Sequence, residues 1–205
     1  MEWHKTDVQG LAVVDTEIEG YQPAQYEIIR QVIYATADFE YRDLIQFSDQ
    51  ALEKGAAAIA ARTSIIVDVA TVQMAITPTL QSTFANGSYI CANVITRPQK
   101  QKSQAAWGME TLAQRYPSGV FVVGESQSAL ETLTDLIKSQ AIAPALVIAT
   151  PSEFINVGVA KSYLQQSAIP YILINGQKGG AIVAAKILNA LVSLAWEVYG
   201  TKDDF

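Results

Sequence analysis

Short β-branched runs alternate along this chain with longer stretches of helical periodicity, and this alternation constrains the fold more than any other feature. Six apolar runs predict strands, and none shows a strict polar–apolar alternation, as expected for strands that are covered on both faces. The predicted strands are residues 11–14, 65–69, 88–92, 120–123, 146–149 and 171–174. The predicted helices are residues 23–33, 42–62, 98–115, 126–139, 152–167 and 179–199.

This pattern predicts an α/β fold, a three-layer sandwich in which helices cover both faces of a doubly wound, mostly parallel sheet. The 205 residues suffice to bury a substantial core, and no change of composition marks a linker. We therefore expect residues 1–205 to form a single domain. In such a sheet, ligands bind where the strands end. The strand ends of interest are residues 124–126, 150–152, 176–180 and those after Asp68.

Composition argues against several classes of protein. The net charge is −6 and the basic residues are scattered, so we expect no nucleic-acid surface. The single cysteine, Cys91, allows no intrachain disulfide, and the single histidine, His4, excludes a His-rich or Cys/His metal centre. With a mean hydropathy of +0.16 and no apolar start to the chain, we expect a cytoplasmic protein without a membrane segment.

For several polar residues and for the glycine turn, the sequence allows two different roles. Asp68 ends an apolar strand, where its carboxylate either orients a ligand or accepts hydrogen bonds from backbone N–H groups. The glycine turn at residues 176–180 either favours an anion or serves only the geometry of the chain. Asp38 and Glu40 are either paired acids or capping and solvated residues. Lys178 precedes a helix, which disfavours positive charge, so it faces either a ligand or solvent.

The segment Val-Ile-Tyr-Ala-Thr-Ala-Asp-Phe-Glu at residues 32–40 closely resembles the Val-Ile-His-Ala-Thr-Ala-Asp-Phe-Glu signature of the precorrin-8X methylmutases. These are the corrin-ring isomerases of cobalamin biosynthesis. Further matches to the family follow in the same order along nearly the whole chain. They include residues 11–17, 47–48, 66–69, 108–109, 123–124, 129–130, 144–148, 170–171, 179–180 and 189–191. The chain is identified by this resemblance as a member of the family.

The resemblance implies a flavodoxin-like fold and a homodimer with corrin pockets near the subunit interface. The implied ligand is a small-molecule precorrin or corrinoid. The implied reaction moves a methyl group from C11 to C12 of the precorrin ring, an isomerisation that needs no cofactor and no metal. A proton donor near a ring nitrogen assists it, and in the family this donor is a histidine.

Tyr34 occupies the position of that histidine, so the resemblance implies that Tyr34 is the catalytic residue. The implied substrate-binding residues are Gly10, Gln31, Thr36, Asp68, Gln104, Lys178, Gly179 and Gly180. A phenol ordinarily has a pKa near 10, which makes it a weak acid at neutral pH. Two hypotheses therefore remain: a methylmutase in which Tyr34 replaces the histidine, and a catalytically impaired paralogue that binds a corrinoid as a carrier or regulator. A third and weaker hypothesis is a purely structural subunit that dimerises with an intact member of the family.

Overall fold

One six-stranded sheet forms the centre of the computed structural model, which describes residues 5–94, 102–152 and 158–200. The strands are β1 (Ile45–Phe47), β2 (Ile65–Val67), β3 (Ser88–Ile90), β4 (Val120–Val123), β5 (Leu146–Ala149) and β6 (Tyr171–Ile174). The helices are α1 (Lys5–Asp15), α2 (Pro23–Thr36), α3 (Tyr41–Leu44), α4 (Ala51–Ala60), α5 (Ala70–Gln81), α6 (Gln104–Arg115), α7 (Gln127–Lys138), α8 (Val159–Gln166) and α9 (Ala181–Tyr199).

The strand order is β1-β6-β5-β4-β2-β3, and β1 alone among these strands runs antiparallel to its neighbour. From β2 the chain moves outward to β3, and it then returns past β2 to form β4. This reversal is the topological switch of a doubly wound sheet, and it lies between the carboxyl ends of β2 and β4. The predicted α/β fold class is therefore confirmed.

Two apolar layers cover the two faces of the sheet. Along β4, Val120 and Val122 pack with α2, α4, α5 and α9, while Phe121 and Val123 pack with α6, α7 and α8. Among the described helices α9 is long and apolar enough to cross a membrane, but it packs against α2, α4 and α5 and most of it is buried. Its apolar length is explained by its place in the middle of a helix layer.

Five of the six predicted strands are confirmed, and the prediction of a strand at residues 11–14 is wrong. These residues lie in α1, where Leu11 and Val14 are buried three positions apart on one face of the helix. A run of four apolar residues fits a buried strand and a buried helix turn equally well, so the pattern could not separate them.

The predicted helix at residues 42–62 is also wrong in its middle, because the edge strand β1 lies there and separates two helices, α3 and α4. Helix α5, which the strand and helix pattern missed, buries Val72, Ile76 and Leu80 at a spacing of four. Two further helices begin later than predicted, α6 at Gln104 and α8 after Gly158. Residues 98–101 and 153–157 of those two predictions lie outside the described part of the chain.

Candidate functional site

Asp68 and the turn of Lys178, Gly179 and Gly180 lie at the edge of the sheet where the parallel strands end. Because β1 is antiparallel to β6, the start of β1 lies at this same edge, beside Ile174. The backbone N–H of Asn175 donates to the carbonyl oxygen of Leu44 at 2.8 Å. The end of α3 is therefore held against the loop that follows β6.

Asp68 joins the ends of β2 and β4. Its side chain is fully buried, and its carboxylate accepts hydrogen bonds from the backbone N–H groups of Gly124, Glu125 and Ser126 at 2.9, 2.8 and 2.7 Å. The hydroxyl of Ser126 then accepts from the N–H of Ala129 and caps α7. Of the two interpretations of Asp68, acceptance from the backbone is the one that the geometry shows.

The glycine turn after β6 is packed against the end of β5. The N–H of Gly180 donates to the carbonyl oxygen of Thr150 at 2.7 Å, and the buried Thr150 hydroxyl donates to the carbonyl oxygen of Gly180 at 3.0 Å. A Cβ on Gly179 would lie 2.0 Å from that Thr150 oxygen, and both glycines have positive φ angles, 147° and 108°. Geometry alone therefore requires glycine at residue 179.

Lys178 bridges this turn to the segment that follows α2. Its ammonium group lies 2.6 Å from an oxygen of Asp38 and 2.8 Å from an oxygen of Glu40. These two hydrogen bonds raise the pKa of Lys178 to about 12. The hydrogen bond from Lys178 also lowers the pKa of the Asp38 carboxyl, and the N–H of Glu40 adds to this effect. Lys178 is thus a partly exposed lysine that is engaged by two carboxylates.

Tyr41 belongs to the same cluster, although it is not among the site residues predicted from the sequence. Its ring is buried, and its hydroxyl lies near the backbone of Gly179. Burial raises the pKa of the Tyr41 phenol, and the negative charge of Asp38 acts in the same direction, whereas the backbone of Gly179 acts to lower it. The one available signal was its position directly after the signature segment.

Tyr34 lies on the last turns of α2, half-buried against the core layer that contains α9. Gly10 of α1 faces the ring: a Cβ on Gly10 would be 2.8 Å from Cε2 of Tyr34. Gln31 and Thr36 make their hydrogen bonds along the same helix, to the carboxylate of Glu27 and to the carbonyl oxygen of Val32. The structure thus brings Gly10 and Tyr34 into contact.

Gln104 lies at the start of α6, on the far side of the switch point. Its side-chain amide donates to the carbonyl oxygen of Ala92, just after β3. The neighbouring Ser103 caps α6, and its hydroxyl lies 2.6 Å from that of Ser128, in the first turn of α7. The amino ends of α6 and α7 therefore meet beside the Asp68 loop.

Two of the cavities on the described surface are lined by residues other than the predicted site residues. One of about 420 Å³ lies at the opposite edge of the sheet, among residues such as Lys54, Pro144 and Pro170. One of about 360 Å³ lies between α1 and α3 and includes Glu17 and Arg42. Within the described ranges no group of three His, Cys, Asp or Glu side chains could hold a metal ion, and His4 lies outside them.

Comparison with known proteins places this arrangement in context. The model of the family described as CbiC, precorrin-8X methylmutase, matches residues 7–194. The chain is similar to the cobalt-precorrin-8 methylmutase of Synechocystis, with 32% identity over 94% of this chain and 96% of the relative. It is 30% identical to that of Methanocaldococcus jannaschii, over 89% of this chain and 86% of the relative. The crystal structure of precorrin-8X methylmutase from Thermus thermophilus superimposes with a TM-score of 0.84 and 30% identity, over 95% of this chain and 99% of that chain.

Proposed function

Because this chain belongs to the precorrin-8X methylmutase family, we propose that it is a methylmutase of cobalamin biosynthesis acting on cobalt-precorrin-8 or precorrin-8X. In this reaction the bond from a methyl group to ring carbon C11 breaks and a bond from that methyl group to C12 forms. The composition of the substrate does not change, so the protein supplies position, and a proton that it donates to the ring during the shift returns to it before the product leaves. Similarity along almost the whole length of the chain and of its relatives is the observation that carries the proposal.

The proposed proton donor is the phenol of Tyr34. It lies on the helix whose end is joined through Asp38 to Lys178 and thus to the glycine turn. A tyrosine ordinarily keeps its proton at neutral pH, which suits the role of a general acid, although the transfer is less well matched than that from a histidine. The proposed substrate-binding residues remain Gly10, Gln31, Thr36, Asp68, Gln104, Lys178, Gly179 and Gly180.

The test is direct incubation of the purified protein with precorrin-8X, following the absorbance of the hydrogenobyrinic acid product. Tyr34→Phe keeps the ring and removes the hydroxyl, so we expect it to lower kcat by roughly 10²–10⁴-fold. The matched control is Tyr199→Phe on the exposed side of α9, which should retain wild-type turnover.

No conversion above a heat-inactivated control, at high enzyme concentration, would contradict the proposal. In that case a titration with hydrogenobyrinic acid, its diamide and cobalamin would separate the remaining readings. Binding without turnover would indicate the impaired paralogue that acts as a corrinoid carrier or regulator.

We also propose that the protein is a cytoplasmic homodimer that does not bind nucleic acid or membranes. Helix α1, which contacts Tyr34 through Gly10, exposes Val8 and Val13 to the extent of 54% and 62%. A protein contact that covers either of these two side chains would remove apolar surface from water, which is favourable. Sedimentation analysis should give twice the chain mass, and Val13→Glu should shift the species toward the monomer. A monomeric wild-type protein at micromolar concentration would contradict the dimer.

A further inference from the structure

Gly10 occupies a position in α1 where the helix itself gains nothing from glycine. It lies in the middle of the helix, and a glycine there is more destabilising than any residue except proline. The three atoms nearest to a Cβ built on Gly10 all belong to one side chain. They are Cε2, Cδ2 and Cζ of Tyr34, at 2.8, 3.6 and 3.8 Å. The missing side chain at Gly10 therefore leaves room for the ring of Tyr34.

Helix α1 is also fixed against α2, so it cannot easily withdraw from that ring. Arg30 of α2 donates to both carboxylate oxygens of Asp15 at 2.6 and 3.1 Å, and the hydroxyl of Tyr26 donates to Asp15 at 2.5 Å. Leu11, next to Gly10, is buried on the inner side of α1. Because the two helices are joined in this way, a methyl group on residue 10 would displace the ring rather than the helix.

We propose that Gly10 is a positioning residue for Tyr34: its bare Cα determines where the ring lies and hence where the phenol hydroxyl points. The closest ring atoms include Cζ, which carries the hydroxyl, so even a methyl group at residue 10 moves the polar end of the side chain. The consequence for catalysis rests on the proposed function. The position of the ring does not.

The first test compares melting temperatures in two backgrounds. With Tyr34→Ala the clash is absent, and Gly10→Ala should raise Tm by about 2–4 °C through helix propensity alone. With Tyr34 present, the same substitution should leave Tm unchanged or lower it. The control Ala12→Gly, at an exposed position of α1, should lower Tm equally in both backgrounds. An equal rise of Tm for Gly10→Ala in both backgrounds would overturn the proposal.

The second test observes the ring itself. In protein labelled with 3-fluorotyrosine, one of the nine tyrosine signals is assigned to Tyr34 by its loss in Tyr34→Phe. Gly10→Ala should shift that ¹⁹F signal, and Ala12→Gly should not. This measurement does not require the Tyr34→Ala protein to fold. An unchanged Tyr34 signal in Gly10→Ala would overturn the proposal.

The third test concerns turnover and separates this inference from the proposed function. Gly10→Ala should lower kcat on the order of tenfold or more, and by a larger factor than it raises KM, because a displaced donor affects the transition state more than substrate binding. If the wild-type protein turns over and Gly10→Ala matches it, the positioning role is refuted. If the wild-type protein does not turn over, the proposed function fails, and the Tm and ¹⁹F results still decide the role of Gly10.

Discussion

At the scale of single residues, the Asp68 carboxylate determines how the ends of two strands are joined. It is fully buried and receives three backbone N–H groups within 2.9 Å. Hydrogen bonds to a charged acceptor are stronger than neutral ones, and each buried donor that loses its acceptor costs free energy. The loop of residues 124–126 and the start of α7 therefore depend on this one side chain.

We expect Asp68→Asn to lower the free energy of unfolding by about 2–4 kcal/mol. The amide keeps one acceptor oxygen, so in either orientation its N–H₂ group faces at least one of the three backbone N–H donors. Urea unfolding followed by circular dichroism measures the loss. Asp49→Asn, the same change at an exposed position, should stay within about 0.5 kcal/mol of wild type. Equal effects of the two substitutions would show that the three hydrogen bonds contribute little.

The sequence could place some of these residues but not their partners. Asp68, Gly179 and Gly180 follow apolar runs, and parallel strands end at one edge, so their gathering there could be expected. The pairing of Lys178 with Asp38 could not be expected, because the two residues are 140 positions apart along the chain. Pairings over such distances depend on how helices and loops pack, which the spacing of residues within a segment does not contain.

At the scale of elements, the sequence predicted the central strands well and missed the edge strand β1 and the helix α5. Strands β4 and β5 are buried along their full length, so their apolar runs carry a clear signal. The edge strand β1 has three residues and is only partly buried, so nothing distinguished it from the helices around it. In α5 the β-branched residues, together with Pro78, obscured a helical spacing that packing against α9 stabilises.

The ion pair between Lys178 and Asp38 joins two of these elements, and its contribution should depend on pH. The pKa of Asp38 is lowered in the folded protein, so the stabilisation is complete above its unfolded pKa near 4 and is lost as the pH falls through the lower folded value. The pKa of Lys178 is raised to about 12, so on the alkaline side the stabilisation persists below about 10.4 and is lost as the pH rises through about 12.

Accordingly, Lys178→Met should lose less stability than wild type when the pH is lowered from about 7 to about 3. Urea midpoints measured across that range give the comparison. Lys138→Met removes a solvent-exposed pair with Asp135 on α7 and should leave the acid dependence of the wild type unchanged. Parallel acid curves for wild type and Lys178→Met would mean that Asp38 does not depend on this lysine.

At the scale of the whole molecule, one sheet supports both helix layers. Alternate residues of β4 face opposite layers, and β2, β5 and β6 likewise contribute side chains to both apolar clusters. Loss of one layer would expose one face of these strands to water and remove the packing that orders them. The two layers should therefore unfold together, which agrees with our proposal that residues 1–205 form one domain.

Two tryptophans allow this to be measured layer by layer. Trp107 lies on α6, in the layer with α7 and α8, whereas Trp196 lies on α9 and meets the ring of Phe84 edge-on at 4.9 Å. Variants that retain one tryptophan, Trp3→Phe/Trp196→Phe and Trp3→Phe/Trp107→Phe, report on the two layers separately. For each variant, urea curves from fluorescence and from circular dichroism at one protein concentration should coincide. They should coincide because strands shared by both layers cannot lose one face and keep their order. A fluorescence midpoint that departs from the circular-dichroism midpoint of the same variant would show that its layer opens independently.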